Sequence, residues 1–536
     1  MRKLILAGAA AALAMVPFKA AFADASEADI NRITDEGLSH SMAMLSASEL
    51  MDDIGPRLTN SDNMERAQAW AEAKFAEYGL GAIHREPFRF GVGWDLVSHS
   101  ARMIEPRPIA MRAIPVAWSP PTNGALRAPV IVAPMSKVEH FAEWRGKLAG
   151  KIVLVSLPGS TSESREPSFS RLESKDIGEF DSYDLPTDPD EQAIELRAES
   201  SAFPLRLSQF LKEEGAVAIV KRSYRDNGLL HGEGYLFQPG ETLALPYMEL
   251  GAEDYRRLVR LERRGTPPVI ELAIDAAYDT EDLEAENLFA EIAGSDPRAG
   301  YVMAGAHFDS WIAADGATDN GAGSVMVIEA ARILARMPKP RRTIRFALWA
   351  GEEQGVLGSL AYIEQHLAAR PVDPSHTGIM RYYGWREGYP ITTRPGYDEL
   401  KAYFNLDNGA GKIRGIYAEN NVGAIPTLRK WLAPFASMGA GAVVAQRTGG
   451  TDHVFMQAVG LPAFQFIQDP LDYESTTHHS SVDTVDHMRP DDIRQAATIM
   501  AAMLWQAANS DDVLPRPPLP SEPSKSDPFK VEDPNR

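Results

Sequence analysis

Four apolar runs in the second half of the chain each lead into acidic residues or histidine, and this pattern constrains the fold more than any other. "YVMAGA" runs into His307, "TIRFALWA" into Gly351, Glu352 and Glu353, "KAYFNL" into Asp407, and "PAFQFI" leads through a loop to "THHSSVDT". Between them lie helical patterns such as "GAGSVMVIEAARILARM". Strand, loop and helix in alternation predict an α/β three-layer sandwich on a largely parallel mixed sheet. In open sheets of this kind a ligand binds beyond the carboxyl ends of the strands, so the pattern delivers acid and imidazole to one edge.

The rest of the chain reads differently. Residues 24–120 open with helical spacing, as in "DNMERAQAWAEAKFAEYGLG", where Asp62 and Asn63 are capping candidates and Gly79 is the stop. Residues 121–275 carry short β-rich runs, "APVIVAP", "GKIVLVSL" and "GAVAIVKR", interrupted by the acidic stretch "STSESREPSFSRLESKDIGEFDSYDLPTDPDEQ". That stretch is poor in aliphatics and is expected to be a solvated loop. Residues 276–510 hold the four apolar runs, and residues 511–536 are Pro-rich and expected to be disordered.

Residues 1–23 form a secretory signal pattern: Arg2 and Lys3, an apolar core from Leu4 to Val16, and "AFA" before Asp24. That core is shorter than the roughly 20 residues that span a bilayer. Cleavage after Ala23 is expected, giving a periplasmic or extracellular protein with no membrane contact thereafter. With 74 acidic against 54 basic residues the net charge is −20, which excludes nucleic acid as a natural partner. The 536 residues include no cysteine, so a metal would have to be held by His, Asp or Glu.

Carboxylates mixed with imidazole and no thiolate suit zinc in a hydrolytic site. Two divalent ions roughly 3.5 to 4 Å apart need a donor that touches both, and the two oxygens of Asp319 make it the candidate bridge. Glu352 and Glu353 are expected near a helix start and would point about 100° apart, so one could bind metal while the other faces a water. His478 and His479 are neighbours, and the chemistry alone does not choose between them. The chain has no G-x-S-x-G elbow, H-E-x-x-H helix, G-x-x-x-x-G-K-[ST] loop or G-x-G-x-x-G turn.

"GAHFDSW", "GATDNGAGS", "FALWAGEEQGVLGS", "NLD", "GGTDHVF", "HHSSVDT" and "MDDIGPRLTNS" together resemble the M28 family of zinc aminopeptidases, in the branch that carries a protease-associated domain and includes carboxypeptidase Q-like and glutamate carboxypeptidase-like enzymes. The resemblance implies a zinc-peptidase sandwich assembled from residues 24–120 and 276–510, with residues 121–275 as an inserted protease-associated domain. It implies two zinc ions per chain, one held by His307, Asp319 and Asp407 and the other by Asp319, Glu353 and His479. Glu352 becomes the general base. His479 is preferred because the family pattern His-[Ser/Thr]-x-x-Asp-[Ser/Thr] fits His479, Ser480, Asp483 and Thr484. Asp309 matches the aspartate that orients the imidazole of His307, and Asp452, His453 and Tyr473 are candidates to line the cleft. Where some relatives carry a tyrosine after the glycine of "GLP", this chain has Leu461, so the oxyanion donor is unassigned.

The activity implied is hydrolysis of short peptides by an aminopeptidase or dipeptidase. A glutamate carboxypeptidase-like activity, a non-catalytic receptor-like role and a single-zinc acyltransferase of the glutaminyl cyclase type are the alternatives. Oligomeric state is not implied.

Overall fold

The four apolar runs become the strands Tyr301–His307, Thr343–Trp349, Leu400–Asn405 and Ala463–Gln468, each parallel to its neighbour in the order Thr343, Tyr301, Leu400, Ala463. This is seen in a computed structural model that describes residues 25–161, 167–184, 191–234, 242–372, 385 and 388–519. The signal pattern at 1–23 lies outside the described residues. Antiparallel Glu284–Ile292 and Gly81–Arg89 extend one side of the parallel block, and Ile413–Tyr417 with Ala442–Val444 extends the other, giving a mixed eight-stranded sheet.

The period of two within each strand explains the layers. Val302, Ala304 and Ala306, with Ile344, Phe346 and Leu348, pack against one apolar cluster that includes Val325, Ile328 and Met500. Tyr301 and Met303, with Ala347 and Trp349, face a second cluster containing Tyr362, Val454 and Phe455. Both faces of the sheet are therefore buried, and helices cover both. The helices Glu27–Ser39, Asp62–Glu77, Ala322–Ala335 and Pro490–Asn509 supply the first cover. In Asp62–Glu77 the cap is Ser61, whose hydroxyl accepts from Met64 N, rather than the expected Asp62 or Asn63. Among the described residues no helix is long and apolar enough to cross a membrane.

A second eight-stranded sheet is built from residues 93–279, including Leu126–Val132, Ile152–Leu154, Ala218–Arg222 and Tyr247–Leu250. It begins earlier than the sequence predicts. Gly93–Glu105, placed above in the first part of the peptidase sandwich, pairs antiparallel with Val269–Asp279 from Gly93 opposite Asp279 to Glu105 opposite Val269. Its solvent-exposed centre hides the alternation that would have marked it as a strand.

The acidic stretch is not a solvated loop where it is described. Residues 167–184 cross to the first sheet and dock along its edge. Ile177 is buried against Val444 and Ile467, with Leu172 and Phe180 beside them, and Ser170 pairs with Leu471. The fully buried Asp469 carboxylate anchors this crossing: Arg171 Nη1 lies 2.9 Å away, Arg414 Nη1 2.8 Å, and Leu172 N donates at 2.9 Å. The Pro-rich tail is also ordered further than its composition suggests. The Pro515 carbonyl accepts from Asn421 Nδ2, and Arg516 Nη2 donates to the carbonyls of Tyr397 and Leu400.

Removing a buried ion partner that leaves its cations behind costs about 3–5 kcal/mol, and both arginines here are partly exposed. Asp469→Ala is therefore expected to lose about 3 kcal/mol in urea unfolding and to render residues 167–184 sensitive to limited proteolysis under native conditions.

Candidate metal centre

His307 is the last residue of its strand, and its ring is fixed from behind. Nδ1 lies 3.0 Å from the Asp309 carbonyl oxygen, which can only accept, so Nδ1 carries a proton and Nε2 is the nitrogen that points forward. Forward of it are Asp319 Oδ1 and Asp407 Oδ1, each at 3.3 Å, and Glu352 Oε2 at 4.0 Å. The other oxygen of Asp319, Oδ2, faces a second imidazole: His479 Nε2 is 3.1 Å from it and 3.1 Å from Glu353 Oε2. One carboxylate thus faces both donor sets. His478 Nε2 stands further off, at 3.7 Å from Asp319 Oδ2, with its ring stacked on that of His479.

The loops that present these groups are held by carboxylates and one arginine behind them. The Asp483 carboxylate accepts from Thr318 N at 2.7 Å, from Thr318 Oγ1 at 2.7 Å and from Asp319 N at 3.1 Å. The Asp309 carboxylate accepts from Glu352 N and Glu353 N, both at 3.2 Å, and from Thr59 Oγ1. It is the backbone carbonyl of Asp309, not this carboxylate, that orients His307; the carboxylate sets the adjacent glutamates instead. Those glutamates lie in a turn ahead of the helix Leu357–Tyr362 rather than at its first turn. Arg57 is fully buried and donates to the carbonyls of Gly55, Phe308, Asp315 and Gly316. It pins the segment "MDDIGPRLTNS" beneath the strand ends.

His479 has φ +56°, a left-handed conformation that a non-glycine residue adopts at some cost. Its Nδ1 lies 2.7 Å from Glu233 Oε1, a residue of the second sheet's loops that the sequence did not single out. Glu233 follows no strand of the first sheet, and it stands 246 positions before its partner. Tyr473 is buried, edge-on to the ring of His478, and stays protonated because of burial first and then the charges of Asp319, Asp407 and Glu353. His453 turns away toward Thr448 Oγ1 and Glu419 Oε1, while Asp452 beside it is fully buried with the Ser359 hydroxyl near its carboxyl.

The charges are strongly interdependent. Burial alone would raise Asp319, yet hydrogen bonds and charge from His307, His479 and His478 hold it well below the usual carboxylate range. Burial pushes Glu353 up to about 7, with His479 opposing and Asp319 adding, and raises Glu352 well above its ordinary value, with Asp407, Asp452 and Glu353 adding. His307 and His479 are raised despite burial, by Asp407 and Glu352 in one case and by Glu353 and Asp319 in the other.

These residues fit a pair of metal ions. The donor atoms of His307, Asp319 and Glu353, and those of Asp319, His478 and His479, each lie within 4.8 Å of one another. Glu353 Oε1 is buried without a hydrogen-bond partner among the described residues, a deficit that a cation between the donors would remove. Imidazole with carboxylate suits zinc.

Residues 287–504 match the model of peptidase family M28. Carboxypeptidase Q of Mus musculus is 26% identical over 472 residues, covering 87% of this chain and 86% of the mouse protein. Aminopeptidase YwaD of Bacillus subtilis is 24% identical over 39% of the chain and 42% of its own length. Among solved structures, a peptidase M28 precursor from Shewanella amazonensis superposes with a TM-score of 0.64 at 24% identity, covering 92% of this chain and 98% of that one. A zinc aminopeptidase from Bacillus subtilis gives 0.55 at 18% identity, covering 92% and 97%. The mixed α/β fold is that of these structures, and residues 287–504, which match peptidase family M28 and hold the His, Asp and Glu clusters, mark a zinc-dependent metallopeptidase related to these proteins.

Burial pushes Asp452 up to about 7, with His307 and Ser359 opposing and Asp407 and Asp309 adding. A carboxyl whose folded pKa exceeds its unfolded value of about 3.9 makes the folded state the better proton binder in between, so it costs stability increasingly from about pH 4 to about pH 7. In chelator-treated protein, Asp452→Asn should therefore raise the melting temperature little at pH 4.5 and most at pH 7 and above.

Proposed function

We propose that this chain is an exported di-zinc exopeptidase that acts on short peptides as an aminopeptidase or dipeptidase. The observation that carries the reading is the sharing of Asp319 between two donor sets: His307 with Asp407 on one side, and His479 with Glu353 on the other. In this reading those five residues are the ligands, and His479 is preferred to His478 because it lies closer to Asp319 and also reaches Glu353. Zinc bound there would polarise the scissile carbonyl and lower the pKa of a water toward 7.

Glu352 is the general base. It stands beside His307 without being one of the closest donors, at 4.0 Å, and its raised pKa suits a carboxyl that accepts a proton from water and returns it to the leaving amine. Asp309 holds its backbone, and with it the aim of the side chain, through the Glu352 and Glu353 amides. Tyr473 remains the candidate donor to the developing oxyanion, since Leu461 has no hydroxyl to offer.

The surplus of buried carboxylate favours a substrate ammonium over a substrate carboxylate at this centre. Arg57, the buried cation behind it, is committed to four backbone carbonyls. That supports amino-terminal or dipeptide cleavage over a glutamate carboxypeptidase-like activity, although similar relatives carry both carboxypeptidase and aminopeptidase names. The convergence of all five donors argues against a receptor-like role. The signal pattern at 1–23 and a similar structure described as a precursor support export, and the second sheet at residues 93–279 is read as the protease-associated module.

Elemental analysis of the mature chain is expected to find about two zinc ions per chain, with His479→Ala losing one and His478→Ala keeping both; one ion in a fully active preparation would remove the two-metal reading. A general base contributes about 10² to 10⁴ in rate, so Glu352→Gln should retain both ions while kcat falls by about that factor. A peptide-library digest read by mass spectrometry should show loss of amino-terminal residues or cleavage of dipeptides. Carboxyl-terminal trimming of longer peptides would overturn the assignment of the end attacked.

A further inference from the structure

We propose that Glu233 is a positioning residue for the metal-binding imidazole of His479, so that the second sheet completes the metal centre rather than merely covering it. The inference rests on the reading of His479 as a ligand and extends it to a part of the chain that the reading does not use.

The contact is specific in its chemistry. A carboxylate only accepts, so the 2.7 Å approach of Glu233 Oε1 keeps a proton of His479 on Nδ1 and aims Nε2, the nitrogen that would bind metal, toward Asp319 and Glu353. Such a pairing selects the tautomer, fixes the ring plane and makes the imidazole a stronger donor. For His307 the same task falls to a backbone carbonyl within the same loop. For His479 it falls to a side chain from the other sheet.

Glu233 is itself held in place. The Tyr224 hydroxyl donates to Oε1 at 3.0 Å, and the Tyr224 ring stacks on the buried His231 at 3.8 Å. The same loop grips the chain on either side of His479. Leu230 exchanges two hydrogen bonds with Ser481, its carbonyl accepting from Ser481 N at 2.8 Å and its amide donating to Ser481 Oγ at 3.1 Å. Arg225 Nη1 reaches the Thr476 carbonyl at 3.5 Å. Because His479 sits in a left-handed conformation, its backbone has an alternative to escape to, and this clasp together with Glu233 opposes that escape.

The test uses full-length mature protein, stripped with chelator and titrated with zinc alone against a chromophoric competitor. Glu233→Gln and Glu233→Ala are expected to weaken one of the two zinc sites by roughly 10- to 100-fold and leave the other unchanged, with Glu233→Asp recovering part of the loss. The metal-free protein should lose some melting temperature with the Glu233–His479 contact, but less than the zinc-loaded protein loses, so that the increase on adding zinc shrinks. Parent affinity at both sites in Glu233→Ala would overturn the proposal. So would a fall in metal-free stability as large as the fall in the zinc-loaded form, since that marks a purely structural contact. His479→Ala separates the two readings. If it keeps both ions, the ligand assignment fails; if it loses one while Glu233→Ala loses none, only the positioning role fails.

Discussion

Buried negative charge without enough protein cations to balance it is the constraint on which the rest of this structure depends. Asp319, Glu352, Glu353 and Asp407 face one small space, with Asp309, Asp452 and Asp483 buried close behind. Two like charges about 4 Å apart repel by about 4 kcal/mol in a setting of intermediate polarisability. Two imidazoles and one committed arginine cannot cancel so many such pairs. Either protons or metal ions must fill the deficit, and the raised carboxyl pKa values of Glu352, Glu353 and Asp452 describe the protonated solution. Metal ions and protons therefore compete for the same oxygens, which makes the centre a poorer metal site in acid.

The fold makes that concentration of charge possible by bracing it from outside. Each donor stands at or beyond the end of a strand whose two faces are sealed by apolar clusters, so the edge cannot relax by spreading the strands. Asp483 and Asp309 spend their own charge on backbone amides of the loops, and Arg57 closes the floor with carbonyl contacts. Gly305, one turn of the pleat below His307, shows how tight this support is: a Cβ there would meet Trp349 Nε1 at 2.5 Å and the Tyr403 hydroxyl at 2.6 Å. Those two groups hydrogen-bond to each other across the space a side chain would need.

What was legible in the sequence follows the same physics. His307, Asp319, Glu352, Glu353, Asp407 and His479 stand out because apolar strands stop abruptly at or near polar residues, and the parallel sheet brings such stops to one edge. Glu233 is illegible, because nothing in "HGEGYLF" marks a partner from another sheet. Gly93–Glu105 escaped because a strand with an exposed middle lacks alternation, and residues 167–184 escaped because a few apolar residues, Leu172, Ile177 and Phe180, dock them despite a polar average. His453, whose motif fits a cleft contact and a structural hydrogen bond equally, makes the structural contact, because a neighbour of a site residue on a turn can face the opposite way, here toward Glu419.

The order of strands in the first sheet also sets when the centre can exist. His307 and Asp407 come from adjacent strands, but His479 lies beyond the far neighbour, Ala463–Gln468, and its carboxylate partner is read from a segment made much earlier. No short stretch of the chain contains a complete donor set, so the centre is whole only once both sheets are in place, and metal affinity reports on the finished fold rather than on any one segment.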